Sequence, residues 1–236
     1  MPDAMPEVAV VTGGSAGIGA EACRLFIARG VKAISLSRRC PGVDGVGHVE
    51  VDLSRADGVS SIEQTLREAV GDACRVSLVH NAADLADDTA FTVDRERLLQ
   101  QLSVSLVSAF ELNRVLKPVM GPGSSVIYIG STLSEGATAG CASYTAIKHA
   151  VVGMMRATCQ DAFGEGIHSV AVCPGFTLTE MLRERLAAGG TEPDALLAMQ
   201  TRVAEPVDVA EVIVRAAESS IFNGAVLHAS FGQKSA

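Results

Sequence analysis

Residues 8–19 read VAVVTGGSAGIG, and this stretch decides the fold. An apolar, β-branched run at 8–12 passes directly into a glycine-rich turn, and helical spacing begins at residue 18. Glycines permit positive φ and let the backbone approach a phosphate group, whose charge is favoured at a helix N-terminus. We therefore predict a strand, a phosphate-binding turn and a helix. The candidate phosphate contacts are Gly13, Ser15, Gly17, Ile18 and Gly19.

Short apolar runs alternate with longer helical stretches along the rest of the chain. The runs are apolar almost throughout, as in strands that are covered on both faces of a parallel sheet. The predicted strands are 8–12, 33–37, 48–51, 76–80, 125–129, 168–173 and 225–229. The predicted helices are 18–29, 57–70, 94–119, 142–163 and 207–219. This order predicts an α/β fold of the Rossmann type, a doubly wound parallel sheet of seven strands with helices on both faces, in one domain over residues 1–236.

One connection in this pattern differs from the others. Residues 38–47, RRCPGVDGVG, separate the second and third predicted strands and contain Gly and Pro but few helix formers. A crossover that includes a helix normally needs at least about 10–12 residues. We predict that a loop, and not a helix, joins these two strands.

Composition narrows the classes of function. Of 236 residues, 48% are hydrophobic and 19% charged, which is typical of a globular chain, and the net charge of −8 argues against a broad nucleic-acid surface. No apolar stretch is long enough to cross a bilayer, and residues 1–7 lack the pattern of a signal peptide. The six cysteines form no C-x-x-C pair and no metal-like spacing with histidine. These features predict a cytoplasmic chain with reduced cysteines and no metal, nucleic-acid or membrane partner.

Further motifs follow the later strands in a fixed order. They are Asp52-Leu53 after the third strand, His80-Asn81-Ala82-Ala83 at the end of the fourth, Ser131 after the fifth, Y-x-x-x-K at Tyr144–Lys148, and Pro174-Gly175 with Thr177 and Thr179 after the sixth. Together with T-G-x-x-x-G-I-G after the first strand, this series resembles the short-chain dehydrogenase/reductase family over nearly the whole chain. The family commonly places its serine thirteen residues before its tyrosine, as Ser131 precedes Tyr144 here.

The resemblance implies a reaction and a set of roles. Members of the family transfer a hydride between a nicotinamide cofactor and a carbonyl or secondary alcohol carbon. In this chain Tyr144 would be the general acid and base, Ser131 would hydrogen-bond the substrate oxygen, and Lys148 would hold the ribose hydroxyls of the cofactor. Tyr144 and Lys148 lie four residues apart on a predicted helix, so they share a face on which the ammonium group stabilises a phenolate. The other implied cofactor contacts are Asp52, Leu53, Asn81, Pro174, Gly175, Thr177 and Thr179.

The end of the second predicted strand, Ser37-Arg38-Arg39, indicates which nicotinamide cofactor is used. An enzyme specific for NAD would carry an Asp or Glu near Ser37 that accepts hydrogen bonds from the ribose 2′-hydroxyl. No acid is present there, and Arg38 can pair with a 2′-phosphate through two charge-assisted hydrogen bonds. We therefore predict NADP(H) as the cofactor, with Ser37 and Arg38 among its contacts.

The chain departs from the family at two places that bear on function. Ser105 stands in a V-S-L context where the family usually has an asparagine that organises a water chain to the lysine, and 230–232 read SFG where many members have DGG. These departures keep open a second hypothesis, a non-catalytic protein that senses a dinucleotide on the same fold. A methyltransferase on a Rossmann-like sheet is disfavoured by the glycine spacing and by the Y-x-x-x-K motif.

Two regions concern the substrate and partners. Residues 177–200 follow the sixth strand, where the family has its variable substrate lid, and they include apolar residues at Met181, Leu182, Leu186, Leu196, Leu197 and Met199. We predict a small carbonyl or alcohol substrate, which the sequence does not identify further. The helix that begins near residue 142 is apolar around much of its circumference, and family members pair this helix in oligomers. We therefore predict a homodimer or homotetramer.

Some titratable residues close to the motifs are interpreted as surface groups. Asp84, Asp87 and Asp88 follow Asn81 in a stretch that we predict to be a solvated loop. His149 follows Lys148, and one residue on a helix corresponds to a rotation of about 100°. We therefore predict that His149 lies on the surface or at an interface and outside the site.

Overall fold

The computed structural model describes residues 5–189 and 202–232. Its described residues form one sheet of seven parallel strands in the order β3-β2-β1-β4-β5-β6-β7. The strands are β1 Val8–Thr12, β2 Lys32–Ser37, β3 Gly47–Glu50, β4 Val76–His80, β5 Ser125–Ile129, β6 His168–Pro174 and β7 Val226–Ala229. The predicted Rossmann-type sheet is confirmed, with each strand end within one residue of the prediction.

Helices cover both faces of this sheet. They are α1 Gly17–Ala28, α2 Gly58–Val70, α3 Arg95–Leu102, α4 Ser108–Leu116, α5 Ala142–Asp161, α6 Glu180–Gly189 and α7 Pro206–Glu218. One apolar core joins the sheet to α2, α4 and α5, and the other joins it to α1 and α7. Because both faces of the strands are covered, most strand residues are buried and the strands read as continuous apolar runs.

The predicted helix over 94–119 is not regular along its whole length. A π turn at Ser103–Val107 separates α3 from α4, and a 3₁₀ turn at Lys117–Val119 follows α4. Around the π turn, the Ser103 hydroxyl donates to the Leu99 carbonyl at 2.9 Å and the Ser108 hydroxyl to the Val104 carbonyl at 2.7 Å. Serine hydroxyls that bond back to the preceding turn compete with regular helix geometry, which is consistent with a wider turn here.

The connection between β2 and β3 is a loop, as predicted. Residues 38–46 contain no helix, and β2 pairs directly with β3 in parallel register from Ile34 opposite Gly47 to Ser37 opposite Glu50. A ring nitrogen of His48 lies 2.9 Å from the Ser37 carbonyl oxygen and links the two strands at this end.

The strand order fixes where a ligand can bind. The chain leaves β1 towards β2 and β3 on one side and returns to β4 on the other, so the connections after β1 and β4 diverge. In open parallel sheets, ligands bind at the carboxyl ends of the strands at such a switch point. No helix among the described residues is long and apolar enough to cross a membrane.

Candidate active site

The turn between β1 and α1 has the geometry of an anion site. Gly13 and Gly17 have φ of 67° and 54°, a region that side chains rarely adopt. A Cβ atom at Gly19 would clash with the Gly13 carbonyl oxygen, so the turn closes on itself only with glycine. Ala16 precedes α1 in extended conformation and supplies no side-chain cap, which leaves the first N–H groups of the helix for a bound anion. Ser15 and Ile18 lie in the same turn, half-buried.

Thr12 and Asn81 join this turn to the end of β4. The Thr12 hydroxyl accepts hydrogen bonds from the backbone N–H groups of Asn81 and Ala82, both at 2.9 Å. The Asn81 amide donates to the carbonyls of Thr12 at 3.0 Å and Gly13 at 3.3 Å. Asn81, which we predicted to contact the cofactor, therefore holds the start of the glycine turn through its side-chain amide. Sequence reasoning did not single out Thr12, although its place in the T-G-x-x-x-G-I-G motif was a usable signal.

Charged side chains of both signs lie close together beyond the end of β2. Ser37 is buried and its hydroxyl donates to the Arg39 carbonyl at 2.8 Å, while the side chains of Arg38 and Arg39 are exposed. Two hydrogen bonds from Ser54 to the Asp52 carboxylate, and the nearby positive charge of Arg38, hold the pKa of Asp52 below its usual value. Leu53 is buried beside it. The Arg39 guanidinium pairs with Glu180 at 3.3 Å, which connects this end of the site to the first residue of α6.

Ser131 occupies a capped turn after β5. Its hydroxyl oxygen accepts a hydrogen bond from the Leu133 N–H at 3.1 Å, and its own N–H donates to the Ser134 hydroxyl at 3.1 Å. The Cys173 thiol packs beneath this turn against Ser134 and the Ser131 backbone, and burial raises its pKa. Because the Ser131 oxygen is an acceptor here, its hydroxyl proton remains available to a ligand. Ser134 and Cys173 were missed from the sequence, and no motif marks them.

Tyr144 and Lys148 share one face of α5, as their spacing predicts. The Lys148 Nζ lies 5.4 Å from the centre of the Tyr144 ring and donates to the Ile129 carbonyl at 2.7 Å. Lys148 is 3% exposed, and burial lowers the pKa of its ammonium group to about 8. The Ile129 contact uses one of three N–H donors, so the other two can bind further acceptors. Tyr144 is half-buried. His149 is exposed on the next face of α5, as predicted.

The segment after β6 packs against the glycine turn. Pro174 ends β6, and the Thr177 hydroxyl donates to the Gly175 carbonyl at 3.1 Å. A Cβ atom at Gly17 would lie 3.2 Å from a methyl carbon of Thr179, so Thr179 packs against the glycine turn. The predicted lid at 177–200 begins here with α6, while residues 190–200 lie outside the described part of the chain.

The acidic stretch after Asn81 is not the solvated loop that we predicted. Asp84 pairs with Arg97 at 2.7 Å, and Asp88 is only 9% exposed. Asp88 accepts a hydrogen bond from the Ser143 N–H at 2.9 Å, which explains its burial. Only Asp87 of the three matches the prediction, since it is exposed. The prediction was wrong for Asp88 because its burial depends on a tertiary contact with α5 that no local pattern reveals.

Ser105 lies in the π turn and is buried. One turn earlier, Gln101 is fully buried and donates to the Asp84 carbonyl at 3.2 Å, and its Oε1 has no hydrogen-bond partner within the described part of the chain. The stretch in which the family usually has one asparagine therefore carries two buried polar residues here, Gln101 and Ser105. Among residues 5–189 and 202–232, no three His, Cys, Asp or Glu side chains gather as a metal site would require.

Comparison with known proteins identifies the family. A family model of the short chain dehydrogenases matches residues 7–189. Carbonyl reductase family member 4 of Danio rerio is 28% identical, over 94% of this chain and 96% of its own length. The 3-oxoacyl-[acyl-carrier-protein] reductase FabG of Vibrio cholerae is 27% identical, over 96% of each protein.

Solved structures agree in fold. A putative NAD(P)-dependent gluconate 5-dehydrogenase from Beutenbergia cavernae, solved with NADP bound at low occupancy, is 27% identical with a TM-score of 0.84 and 98% of both chains covered. The ligand-free aldohexose dehydrogenase of Thermoplasma acidophilum, at 24% identity and a TM-score of 0.83 over 95% of this chain and 92% of its own, has the same fold. The motifs, the sheet order and a family model that covers most of the chain lead to one conclusion: the protein belongs to the short-chain dehydrogenase/reductase family of oxidoreductases.

Proposed function

We propose that this protein is an NADP(H)-dependent oxidoreductase that acts on a small carbonyl or secondary alcohol substrate. The observation that carries the proposal is the arrangement of three residues. Ser131 follows the carboxyl end of β5, and Tyr144 and Lys148 lie in the first two turns of α5. The buried Lys148 ammonium lies over the Tyr144 ring, and its hydrogen bond to the Ile129 carbonyl takes one of its three N–H donors. A purely structural lysine has little reason to be buried there, because burying a cation is costly unless its partners repay the lost hydration.

The residues of the site fit a dinucleotide phosphate. The glycine turn at 13–19 would hold the pyrophosphate at the uncapped start of α1, and Asn81 supports that turn. Arg38 would pair with the 2′-phosphate of NADP(H), and Ser37 offers no carboxylate to select the 2′-hydroxyl of NAD. Thr177 and Thr179 would border the cofactor on the side of α6. When bound, the nicotinamide supplies or accepts the hydride.

The chain's own residues would manage the proton and the substrate oxygen. Ser131 would donate a hydrogen bond to the substrate oxygen through its hydroxyl, since its oxygen already accepts from Leu133. Tyr144 would donate a proton to that oxygen during reduction and remove one during oxidation. Lys148 would stabilise the phenolate form of Tyr144 through its charge and hold ribose hydroxyls with its remaining donors.

Several finer statements belong to the same proposal. The region 177–200 would act as the substrate lid and residues 1–236 as one domain, and we expect a cytoplasmic homodimer or homotetramer. Two relatives are named as reductases of carbonyl compounds or 3-oxoacyl groups, which supports a carbonyl substrate. The hypothesis of a non-catalytic dinucleotide sensor has only Ser105 and the altered C-terminal motif in its favour, because Tyr144 and Lys148 are both retained.

The test is turnover of NADPH against a panel of small aldehydes, ketones and 3-oxoacyl thioesters, with Tyr144→Phe as the control variant. This variant keeps the aromatic ring beside Lys148 and removes only the hydroxyl group. We expect kcat to fall by about 10²–10⁴-fold, the range for loss of a general acid, with NADPH binding unchanged. NADPH binding without turnover of any panel member by the unmodified protein would favour the sensor hypothesis. Near-normal kcat in Tyr144→Phe would show that another group is the acid.

A further inference from the structure

The connection between β4 and α3 meets the amino end of α5 at Asp88. Its N–H donates to the Gly140 carbonyl at 3.3 Å, and its carbonyl accepts from the Ala142 N–H at 3.2 Å. These bonds form a short parallel bridge between Asp88 and Cys141. The two loops that follow β4 and β5, each of which carries a residue of the site, are therefore joined immediately before α5 begins.

The Asp88 side chain caps α5 from outside the helix. Cys141 stands at the N-cap position but makes no side-chain cap, so the first N–H groups of α5 need partners from elsewhere. The Asp88 carboxylate accepts from the Ser143 N–H at 2.9 Å and is almost fully buried. A carboxylate at this position also interacts favourably with the positive end of the helix dipole.

Tyr144 is the residue directly after Ser143, and Lys148 follows one helical turn later. A change in how the first turn of α5 is held would therefore move the phenol relative to Ser131, which is carried by the loop after β5. We propose that Asp88 is a positioning residue for Tyr144, and that its acceptor oxygen fixes the first turn of α5 for catalysis. The inference rests on the proposed function in one respect, that Tyr144 is the acid and base.

Asp94 provides a matched control in the same connection. It is the N-cap residue of α3, and its carboxylate accepts from the Arg97 N–H at 2.8 Å. The helix that it caps carries none of the residues assigned to chemistry or cofactor binding. A purely structural cap at either position would thus cost stability alone, while a positioning role would affect kcat at Asp88 only.

The experiment compares Asp88→Ala, Asp88→Asn and Asp94→Ala. Loss of one helix cap should lower Tm by about 2–4 °C in both alanine variants. Asp88→Ala should lower kcat by about 10–100-fold, because small misplacements of a catalytic group are costly, with KM for NADPH almost unchanged. Asp88→Asn keeps an acceptor oxygen and should restore most of kcat, and Asp94→Ala should keep the kcat of the unmodified protein. Asp88→Ser, with a shorter acceptor, serves if Asp88→Ala does not fold and should give an intermediate loss.

Hydrogen exchange of the amides at 142–145 separates this inference from the proposed function, since it needs no turnover. Faster exchange there in Asp88→Ala, with no change in Asp94→Ala, is expected even if the reaction proves to be a different one. Equal losses of kcat in Asp88→Ala and Asp94→Ala would overturn the positioning role. So would a kcat in Asp88→Asn as low as in Asp88→Ala, or unchanged exchange at the start of α5.

Discussion

The two guanidinium groups that follow β2 differ in how they are engaged. Arg39 pairs with Glu180 across 3.3 Å, whereas Arg38 lies near the Asp52 carboxylate, whose Oδ1 accepts both hydrogen bonds from Ser54. Of the two guanidinium groups, Arg38 can therefore bind a phosphate without losing a direct ion pair to a described residue. An ion pair as exposed as that of Arg39 and Glu180 is weak, but it still competes with an incoming anion.

Arg38→Ala should weaken NADPH binding and leave NADH binding almost unchanged. Loss of a charged hydrogen bond to the 2′-phosphate should cost about 1.5–3 kcal/mol of binding free energy. Arg39→Ala is the matched control and should weaken NADPH binding less, because Arg39 already pairs with Glu180 and would have to give up that pair to bind a phosphate. Titration of each variant with NADPH and NADH by nicotinamide fluorescence gives the four affinities. Equal affinity of the unmodified protein for the two cofactors would contradict the assignment of NADP(H).

Ser105 offers a second test at the scale of one side chain. A serine hydroxyl cannot reproduce the donor and acceptor pair of an asparagine amide, but a bridging water can replace a direct hydrogen bond at little enthalpic cost. Ser105→Asn should therefore change kcat only modestly and leave NADPH affinity unchanged. Steady-state kinetics of the two proteins side by side provide the measurement. A large rise in kcat from an almost inactive parent would instead support the dinucleotide-sensor hypothesis.

At the scale of elements, a buried polar chain ties β4, α4, β5 and α5 together. A ring nitrogen of His80 lies 2.9 Å from Asn113 Oδ1, and Asn113 donates to the Tyr128 hydroxyl at 2.7 Å. The hydroxyls of Tyr128 and Thr158 share a hydrogen bond at 2.8 Å. The His80 and Tyr128 rings also lie 4.8 Å apart, centre to centre. His80 therefore binds its neighbours while it is neutral.

Because His80 is buried, we expect the protein to lose stability in acid. Burial lowers the pKa of His80 from 6.5 to about 4, so between these values the unfolded chain binds a proton that the native protein does not. The free energy of unfolding should then fall as pH decreases through this window, by up to about 1.4 kcal/mol per pH unit from this group. Denaturant unfolding from pH 4 to 7, compared with His80→Gln, isolates the effect. An identical slope in the two proteins would show that His80 does not contribute.

The elements also show which parts of the structure were accessible from the sequence. Strands that are covered on both faces must be apolar throughout, so their positions could be predicted to within one residue. The π turn at Ser103–Val107 could not, because an apolar helical period continues through it and does not mark the two serine hydroxyls that bond back beside it. The cap by Asp88 and the packing of Cys173 under Ser131 also escaped prediction, since each depends on contacts between distant segments.

At the scale of the whole molecule, one side of the sheet exposes an apolar surface formed by α4 and α5. Phe110 of α4 is 60% exposed and Val107, in the π turn before it, 49%, and the small residues Ala146, Ala150 and Gly153 of α5 are exposed on the same side of the sheet. Small residues permit close approach of a second helix, and an exposed aromatic ring gains from burial. These faces are where we expect two copies of the chain to pair.

Phe110→Glu should shift the protein from an oligomer towards a monomer. A carboxylate buried in the centre of such an interface would be unpaired and costly. Light scattering after size exclusion gives the mass of each protein, and Ile221→Glu, at another exposed apolar residue outside α4 and α5, is the control. A monomeric unmodified protein, or an unchanged mass in Phe110→Glu, would contradict this use of the surface.

The strand order has a consequence for how the chain acquires its structure during synthesis. β1 pairs with β2 only 24 residues later, as Val8 with Lys32, but its other edge pairs with β4, as Val8 with Val76. At about 5–20 residues per second, the ribosome would leave that second edge of β1 without its partner for seconds after β2 has been made. All neighbouring strands are parallel, so no local hairpin can cover the edge in the meantime. The nascent chain should therefore be most vulnerable to aggregation, and most dependent on chaperones, before β4 emerges.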